Sequence, residues 1–293
     1  MLVPPFEMHV AKSVEEAISM RSEFGDDASF YCGGTELLLV MKLGLTDLAH
    51  LIDIKHIDEL RSISIDDAGI RIGAAVTYRE IENNPLLVAD RPEFVSMVRG
   101  IANLRVRSVG TLGGNLAFAD PSSDPATFLL AVNGELEIGS ADGKRRIVPM
   151  AGFHTGPYQP DLRDNEMIVS IRLPRNSAGG VVAYERMKLK ERPNITVAVY
   201  ASARQKRVAQ ARVAVGSIGL VPVRFDEVDE SLIGADLTTI DEHLDRAAML
   251  AGKAIALFDD ANGSVEYKRH LVEHFVQKVS RQAIEAVLQN SSR

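Results

Sequence analysis

The stretch "ASFYCGGTELLLVMK", residues 28–42, limits the fold more than any other. A short apolar run gives way to two glycines and then to an apolar segment at helical spacing. Strand, glycine turn and helix in that order make half of a parallel crossover. The flanking segments extend the pattern. "PFEMHV" reads as a strand, Ser13 with Glu16 reads as a capping box opening a helix through Phe24, and "HLIDI" reads as a further strand. The helix after the glycines is expected over 35–43, stopped by Gly44. Residues 1–57 are therefore expected to form a small α/β unit with parallel strands.

From Ser62 the pattern changes. "SISID" and "IRIGA", around a turn, read as a pair of strands, and Thr77 with Glu80 reads as the cap of a helix ending before Pro85. A longer helix is expected over 86–102. A second glycine stretch, "GTLGGN" at 110–115, reads as a loop, followed by a helix over 125–132. "ELEIG" and "RRIVPM" suit a hairpin turning at Asp142-Gly143, and "MIVSIRLP" suits a strand. Polar, glycine-rich "RNSAGG" at 175–180 reads as a linker. Beyond it, "VVAYERMKLK", "NITVAVYASA" and "RVAQARVAVGSI" read as three strands of one antiparallel sheet. The remainder is helical and closes with an amphipathic helix over 265–288. The expected division is 1–177, with subdomains of about 1–57 and 58–177, and then 178–293.

Composition removes several function classes. The 293 residues are 46% hydrophobic and 25% charged with a net charge of −7, which argues against a protein that binds nucleic acid by neutralising phosphates. The basic cluster "KRR" at 144–146 is expected to be a solvated turn. No apolar run reaches the roughly 20 residues of a membrane helix. "MLVPPFEMHV" lacks the regions of a secretory signal, so a cytoplasmic location is expected. Cys32 is the only cysteine, so this chain cannot by itself hold an iron–sulfur cluster, which takes about four thiolates. A lone cysteine reads as a small buried hydrophobe. His9, His50 and His56 show no spacing suited to a metal, and no metal ligands are expected. His154 is read as making a structural hydrogen bond.

Glycines between a strand and a helix let backbone approach a ligand, and the N–H groups at the helix start favour a phosphate. Thr35 at that start suits either a cap or an anion contact. In the second stretch Thr111, Gly113, Gly114 and Asn115 repeat the pattern, and "LAFADPSSDPA" adds Ser122, Ser123 and Asp124. A pyrophosphate-bearing ligand gripped from both sides fits this pairing, with Asp124 accepting bonds from sugar hydroxyls. An ordinary tight turn accounts for the first stretch as well, and Ser123-Asp124-Pro125 suits a helix N-cap. Neither stretch has the G-x-G-x-x-G spacing or a following G-K-[ST], which argues against a nicotinamide Rossmann domain and against an ATPase.

"CGGTELLLVMK", "TLGGNLAFADPSSDPATFLLA" and "NEMIVSIRLP", together with "LIDI", "IDEL" and "IGAAVTYREIENNP", resemble the successive signatures of one family. It is the flavin-binding medium subunit of the molybdenum hydroxylases, the family of carbon monoxide dehydrogenase and xanthine dehydrogenase. The resemblance runs over essentially the whole chain. It implies an α+β chain with a p-cresol methylhydroxylase-type fold, in which two α/β subdomains bind FAD between them. A carboxy-terminal domain then carries a three- to four-stranded antiparallel sheet with helices. By the resemblance, Cys32, Gly33, Gly34, Thr35, Glu36 and Leu37 form a first pyrophosphate loop, and Thr111, Gly113, Gly114 and Asn115 a second. Asp124, with Ser123 beside it, reaches the ribityl or ribose region, and Ile168 lies beside the adenosine part. The family also places a basic residue near the flavin. Among Arg186, Lys188, Lys190 and Arg192, Lys188 is taken for it. The first loop reads "GGTEL" where "GGHSL" marks the carbon monoxide dehydrogenases, which points away from carbon monoxide as the substrate.

The function so implied is that of an oxidoreductase subunit with no acid–base catalytic residue, in which FAD carries the chemistry. A substrate is hydroxylated at a molybdenum cofactor on a large partner subunit. Electrons pass through two [2Fe–2S] clusters on a small partner to FAD on this chain, and then to NAD, a quinone or oxygen. The resemblance implies a dimer of heterotrimers. The single cysteine agrees, and argues against the 4-hydroxybenzoyl-CoA reductase type, whose medium subunit holds a cluster in a cysteine-bearing insertion. Two other readings stand beside this one: an autonomous flavin oxidoreductase of the same fold, and a non-catalytic interaction module whose glycine loops are merely turns.

Overall fold

The computed structural model describes residues 3–175 and 179–290. The chain opens with β1 (Glu7–Val10), α1 (Val14–Phe24), β2 (Ala28–Tyr31), α2 (Leu37–Lys42) and β3 (His50–Asp53). The three strands form the expected parallel sheet, in the order β1-β3-β2. Ile18 of α1 and Leu51 and Ile52 of β3 are fully buried. Ser13 caps α1, its hydroxyl accepting the Glu16 N–H at 3.1 Å, whereas the Glu16 carboxylate takes the Lys12 N–H at 2.6 Å, one residue before the cap itself. α2 begins at Leu37, two residues later than expected, because Gly34 adopts a left-handed φ of 65° and Thr35 and Glu36 fall in a turn.

Next come β4 (Ile63–Asp66), β5 (Gly69–Gly73), α3 (Tyr78–Asn83), α4 (Pro85–Asp90), α5 (Pro92–Arg99), α6 (Leu104–Val109), α7 (Leu112–Phe118) and α8 (Asp124–Ala131). They are followed by β6 (Glu135–Ser140), β7 (Arg145–Pro149), β8 (His154–Gly156), β9 (Gln159–Pro160) and β10 (Glu166–Pro174). A five-stranded sheet runs β4-β5-β10-β6-β7, with β4/β5, β6/β7 and β6/β10 antiparallel. The capping box at Thr77 closes as expected, each partner's side chain bonding the other's backbone N–H. Three expectations need correction. The helix expected over 86–102 is two helices, because Pro92 has no N–H to donate and drives Arg91 out of the helical region to φ −138°, ψ 56°. The sequence pattern does not predict α6, and Gly113, Gly114 and Asn115 lie inside α7 rather than in a loop. Of the "KRR" cluster only Lys144 is solvated beside the turn: Arg145 and Arg146 belong to β7 and pair with Glu15 and Glu59, and with Glu166, respectively.

The chain divides into two compact units. The first comprises Met1–Phe118, Glu135–Phe153 and Gln159–Leu173; the second comprises Ala119–Gly134, His154–Tyr158 and Pro174–Arg293. The second unit holds β11 (Val181–Met187), β12 (Ile195–Arg204), β13 (Arg207–Gly216) and β14 (Val223–Arg224), which form one antiparallel sheet in chain order. α9 (Asp226–Ser231), α10 (Ile240–Ala254) and α11 (Val265–Asn290) follow. Val197 and Val199 on one face of β12 share a core with Val272, Val276 and Val279 of α11. Thr196 and Tyr200 point to the opposite face. There the Thr196 hydroxyl meets the Thr127 hydroxyl of α8 at 2.9 Å, and Arg212 Nε donates to the Ala131 carbonyl at 2.7 Å. These contacts are why residues 119–134 group with the second unit, although in the sequence they precede position 178. The linker expected at 175–180 falls partly on 176–178, outside the described residues. The strand expected through Lys190 ends at Met187, and Lys188 and Lys190 are exposed beyond it.

Candidate functional site

A cavity of about 310 Å³ opens within the first unit. Its walls come from residues 29–37, 74–78, 101–118 and 162–168, together with Ile54. Backbone hydrogen bonds bring two of these segments together. The Tyr78 N–H donates to the Gly110 carbonyl at 3.0 Å, the Leu112 N–H to Val76 at 3.2 Å, and the Gly113 N–H to Ala74 at 3.0 Å. Residues 74–78 thus leave β5 and run antiparallel to 110–113, delivering Thr111 and the start of α7 to the cavity. Glycine is needed at 113 because a Cβ there would lie 2.7 Å from the Ala74 Cα. The N–H groups of this second motif are engaged inside the chain. That of Gly114 donates to Thr111 Oγ1 and that of Asn115 to the Thr111 carbonyl, both at 3.1 Å.

The first motif is built differently. Gly34 holds a left-handed φ, and a Cβ on it would lie 2.5 Å from the Tyr31 ring. That ring is pinned from another side by Lys55, whose Nζ lies 4.2 Å from its centroid and 2.7 Å from the Asp53 carboxylate. A Cβ on Gly33 would lie 2.8 Å from the Gly110 Cα and closer still to the Val109 carbonyl oxygen. The two glycine motifs therefore touch. Among the described residues, the N–H groups of Gly34 and Thr35 have no acceptor within the chain. Donors available to an anion are on the first motif, and the second supplies packed wall. Burial pushes the thiol of half-buried Cys32 up from its ordinary pKa, against a hydrogen bond with Thr111 that pulls it down.

Cys32, Gly33, Gly34, Thr35, Glu36, Leu37, Thr111, Gly113, Gly114, Asn115 and Ile168 all line this one cavity. Ile168 stands on β10 where the pairing with β6 shifts register between Ile168 and Ser170, an irregularity of the kind that re-aims a side chain. Sequence reasoning missed the apolar wall of Phe30, Tyr78, Ile101, Leu162 and Met167, for which only scattered apolar positions give any signal. It also missed Glu166. The Arg146 guanidinium grips both oxygens of Glu166 at 2.8–2.9 Å and holds its carboxyl below the usual range.

Ser123, Asp124 and Lys188 lie in the second unit. Ser123 caps α8, its hydroxyl accepting the Ala126 N–H at 3.2 Å. Asp124 is buried and engaged on both oxygens: the Tyr184 hydroxyl donates to Oδ1 at 2.5 Å and the Arg186 guanidinium to Oδ2 at 2.8 Å. Burial pushes this carboxyl up, with Arg186 opposing. Asp120 pairs with Arg192. The two aspartates of "ADPSSDP" thus hold the two arginines of "YERMKLKER", while Lys188 is exposed past the end of β11.

One gathering of residues was hidden by sequence separation. Pairing of β1 with β3 brings Glu7, His9 and His50 together, where the spacing along the chain gave no metal site.

A cavity of 310 Å³ stands at the low end of small-molecule pockets, roughly 300–1,000 Å³. Bare backbone at Gly33, Gly34, Gly110, Gly113 and Gly114, with the N–H groups of Gly34 and Thr35 unengaged within the chain, suits a diphosphate.

The family described as "FAD binding domain in molybdopterin dehydrogenase" matches residues 4–176, and that described as "CO dehydrogenase flavoprotein C-terminal domain" matches residues 187–283. The carbon monoxide dehydrogenase medium chain of Hydrogenophaga pseudoflava is 32% identical over 95% of this chain and 96% of its own. The putative xanthine dehydrogenase FAD-binding subunit of Escherichia coli K12 is 27% identical over 95% of this chain and 96% of its own. A solved structure of carbon monoxide dehydrogenase from Hydrogenophaga pseudoflava, lacking the Mo-pyranopterin moiety of the molybdenum cofactor, matches with a TM-score of 0.93 at 32% identity, over 98% of this chain and 99% of that one. No helix among the described residues is long and apolar enough to cross a membrane.

Proposed function

This chain belongs to the family of FAD-binding medium subunits of the molybdenum hydroxylases, and on that premise we propose that it is the electron-transfer subunit of such a complex. Its task is to pass electrons from the [2Fe–2S] clusters of a small partner subunit, by way of FAD, to an external acceptor such as NAD, a quinone or oxygen. Substrate hydroxylation takes place at the molybdenum cofactor of a large partner, in a dimer of heterotrimers located in the cytoplasm. The single cysteine supports this division of labour, because clusters must then come from another chain. Residues 1–177 serve as the FAD-binding part and 178–293 as the carboxy-terminal domain, a division supported by family matches over 4–176 and 187–283.

One observation carries the reading: both glycine motifs, 77 positions apart between Gly33 and Gly110, converge on one cavity with bare backbone on its walls. In it Gly34 and Thr35 donate backbone N–H groups to the diphosphate. Gly33 and Gly113, packed against Gly110 and Ala74, and Gly114, beside Thr111, let the two motifs close around it, and Ile168 gives an apolar contact for the adenosine part. Asp124, its charge balanced by Arg186, offers remaining lone pairs to sugar hydroxyls. When bound, FAD supplies one- and two-electron redox chemistry, and the protein supplies binding, orientation and potential tuning. Lys188 is the basic residue proposed to lie near the flavin, where its charge raises the reduction potential.

The test is purification from the source cells. A yellow chain, with FAD released on denaturation and two larger and smaller chains carrying molybdenum and iron–sulfur clusters beside it, is the expected result. A colourless chain that takes up no FAD overturns the flavin reading. Turnover of a small substrate by this chain alone, at the rate of a complete enzyme, overturns the subunit reading.

A further inference from the structure

We propose that Glu7, His9 and His50 form a binding site for a divalent transition cation of the zinc class on the amino-terminal sheet. Glu7 and His9 are two positions apart on β1, so their side chains share a face, and the parallel register sets His50 of β3 directly beside Glu7. His9 Nε2 and His50 Nδ1 face each other at 3.0 Å, and Glu7 Oε2 lies 4.0 Å and 3.8 Å from them. Three potential ligand atoms from two adjacent strands thus converge on one point. The ring of Phe24, at the end of α1, stacks on both imidazoles with centroids 4.5 Å and 4.2 Å away, which restrains the planes of both rings.

The spacing is close to what a metal needs. Two imidazole nitrogens each about 2.0–2.1 Å from a tetrahedral ion stand about 3.3 Å apart. The His9–His50 contact of 3.0 Å therefore has to open by only a few tenths of an ångström, and the Glu7 side chain, 70% exposed, is free to swing inward. Two imidazoles and one carboxylate suit zinc and its neighbours nickel, cobalt and copper, and not calcium or magnesium, which prefer all-oxygen sets. Three protein ligands leave the fourth position to water. The bound ion would clamp edge strand β1 onto β3 and so tie down the amino-terminal end of the first unit.

The site is tested by titrating zinc into the chelator-treated full chain against a chromophoric chelator, with thermal unfolding followed in parallel. One bound zinc per chain and a raised unfolding midpoint are expected for the wild type. Both should be lost in H9Q/H50Q and kept in H270Q/H274Q, the control for the other close histidine pair, on α11. Should H9Q/H50Q fail to fold by circular dichroism, Glu7→Gln, a change at an exposed side chain, is expected to weaken zinc binding in a folded protein. No zinc bound by the wild type, binding undiminished in H9Q/H50Q or in a folded Glu7→Gln, or binding lost only in H270Q/H274Q overturns the proposal.

Discussion

Gly33 and Gly110 meet backbone to backbone, with room at Gly33 for no side chain: a Cβ there would lie 2.8 Å from the Gly110 Cα. The contact joins the loop after β2 to the junction of α6 and α7, and so fixes the width of the cavity. Gly33→Ala should force these segments apart, at a stability cost of about 1–3 kcal/mol, the usual range for overpacking, and should release FAD. Gly44 also has a left-handed φ, but a Cβ on it would meet nothing within 4 Å. Gly44→Ala should therefore cost about 1–2 kcal/mol from backbone strain alone and leave FAD in place. Flavin content after gel filtration, with urea denaturation of each variant, separates the two effects. Equal FAD retention in both variants would remove the loop contact from the account of binding.

Cys32 offers a probe of the same cavity, because it lines the wall between Gly33 and Thr111. Burial pushes its thiol above the ordinary range, so little thiolate exists at neutral pH. Alkylation by iodoacetamide should be slow at pH 7 and should still be rising through pH 9, where an unperturbed thiol would be levelling off. FAD in excess should slow it further at every pH. Mass spectrometry of the labelled chain over time checks both statements, and fast labelling at pH 7 that ignores FAD would contradict them.

How far the sequence reaches is visible in the two glycine motifs themselves. "CGGTEL" was legible as a loop between strand and helix because the local pattern alone dictates it. The glycines of "TLGGN" read as a loop for the same reason, yet they lie in the first turn of α7. Gly113 answers to Ala74, nearly forty positions away, through a backbone contact that no local rule contains. The break at Pro92 is legible in the proline itself, whereas the apolar period alone predicts one helix. In the sequence Asp124 suits both a cap neighbour and a ligand for sugar. Its partners, Tyr184 and Arg186, come from a strand about sixty positions later, so its buried pairing needed the fold. The grouping of α8 with the second unit has the same origin, since it rests on Thr127 and Thr196. The gathering of Glu7, His9 and His50 depends wholly on strand register.

Glu82 sets the position of α6. It is buried at 3% exposure, pairs with Arg79, and accepts from Arg107 Nε at 3.1 Å, while Arg107 Nη1 donates to the Ile101 carbonyl at 2.9 Å. Removing one partner of a buried ion pair leaves the other desolvated and uncompensated, typically at a cost of about 3–5 kcal/mol. Glu82→Leu should show a loss of that order by denaturation, along with weaker FAD retention, because α6 carries Val109 up against Gly33. Arg79→Ala, which removes the half-exposed partner, should cost under about 1 kcal/mol. If both substitutions cost the same, Glu82 is not the anchor.

Asp229 gives the chain a pH dependence of defined sign. It is 7% exposed on α9; its Oδ1 accepts the Val213 N–H at 2.7 Å and its carboxylate meets Arg224 Nε at 2.8 Å. Burial nevertheless outweighs both, and its pKa is pushed up to about 6. In the unfolded chain the same carboxyl loses its proton near pH 4. Between about pH 4 and 6 the folded state therefore holds more protons than the unfolded state, and stability falls as pH rises through that window. Above the folded pKa both states are ionised and the penalty is constant, about 3 kcal/mol for a shift of this size. Asp229→Asn does not titrate. Urea denaturation at pH 4 and pH 7 should show the wild type losing up to about 3 kcal/mol more than the variant over that interval. Parallel profiles for the two proteins would mean that Asp229 is ionised in the folded state throughout, with Arg224 compensating its burial in full.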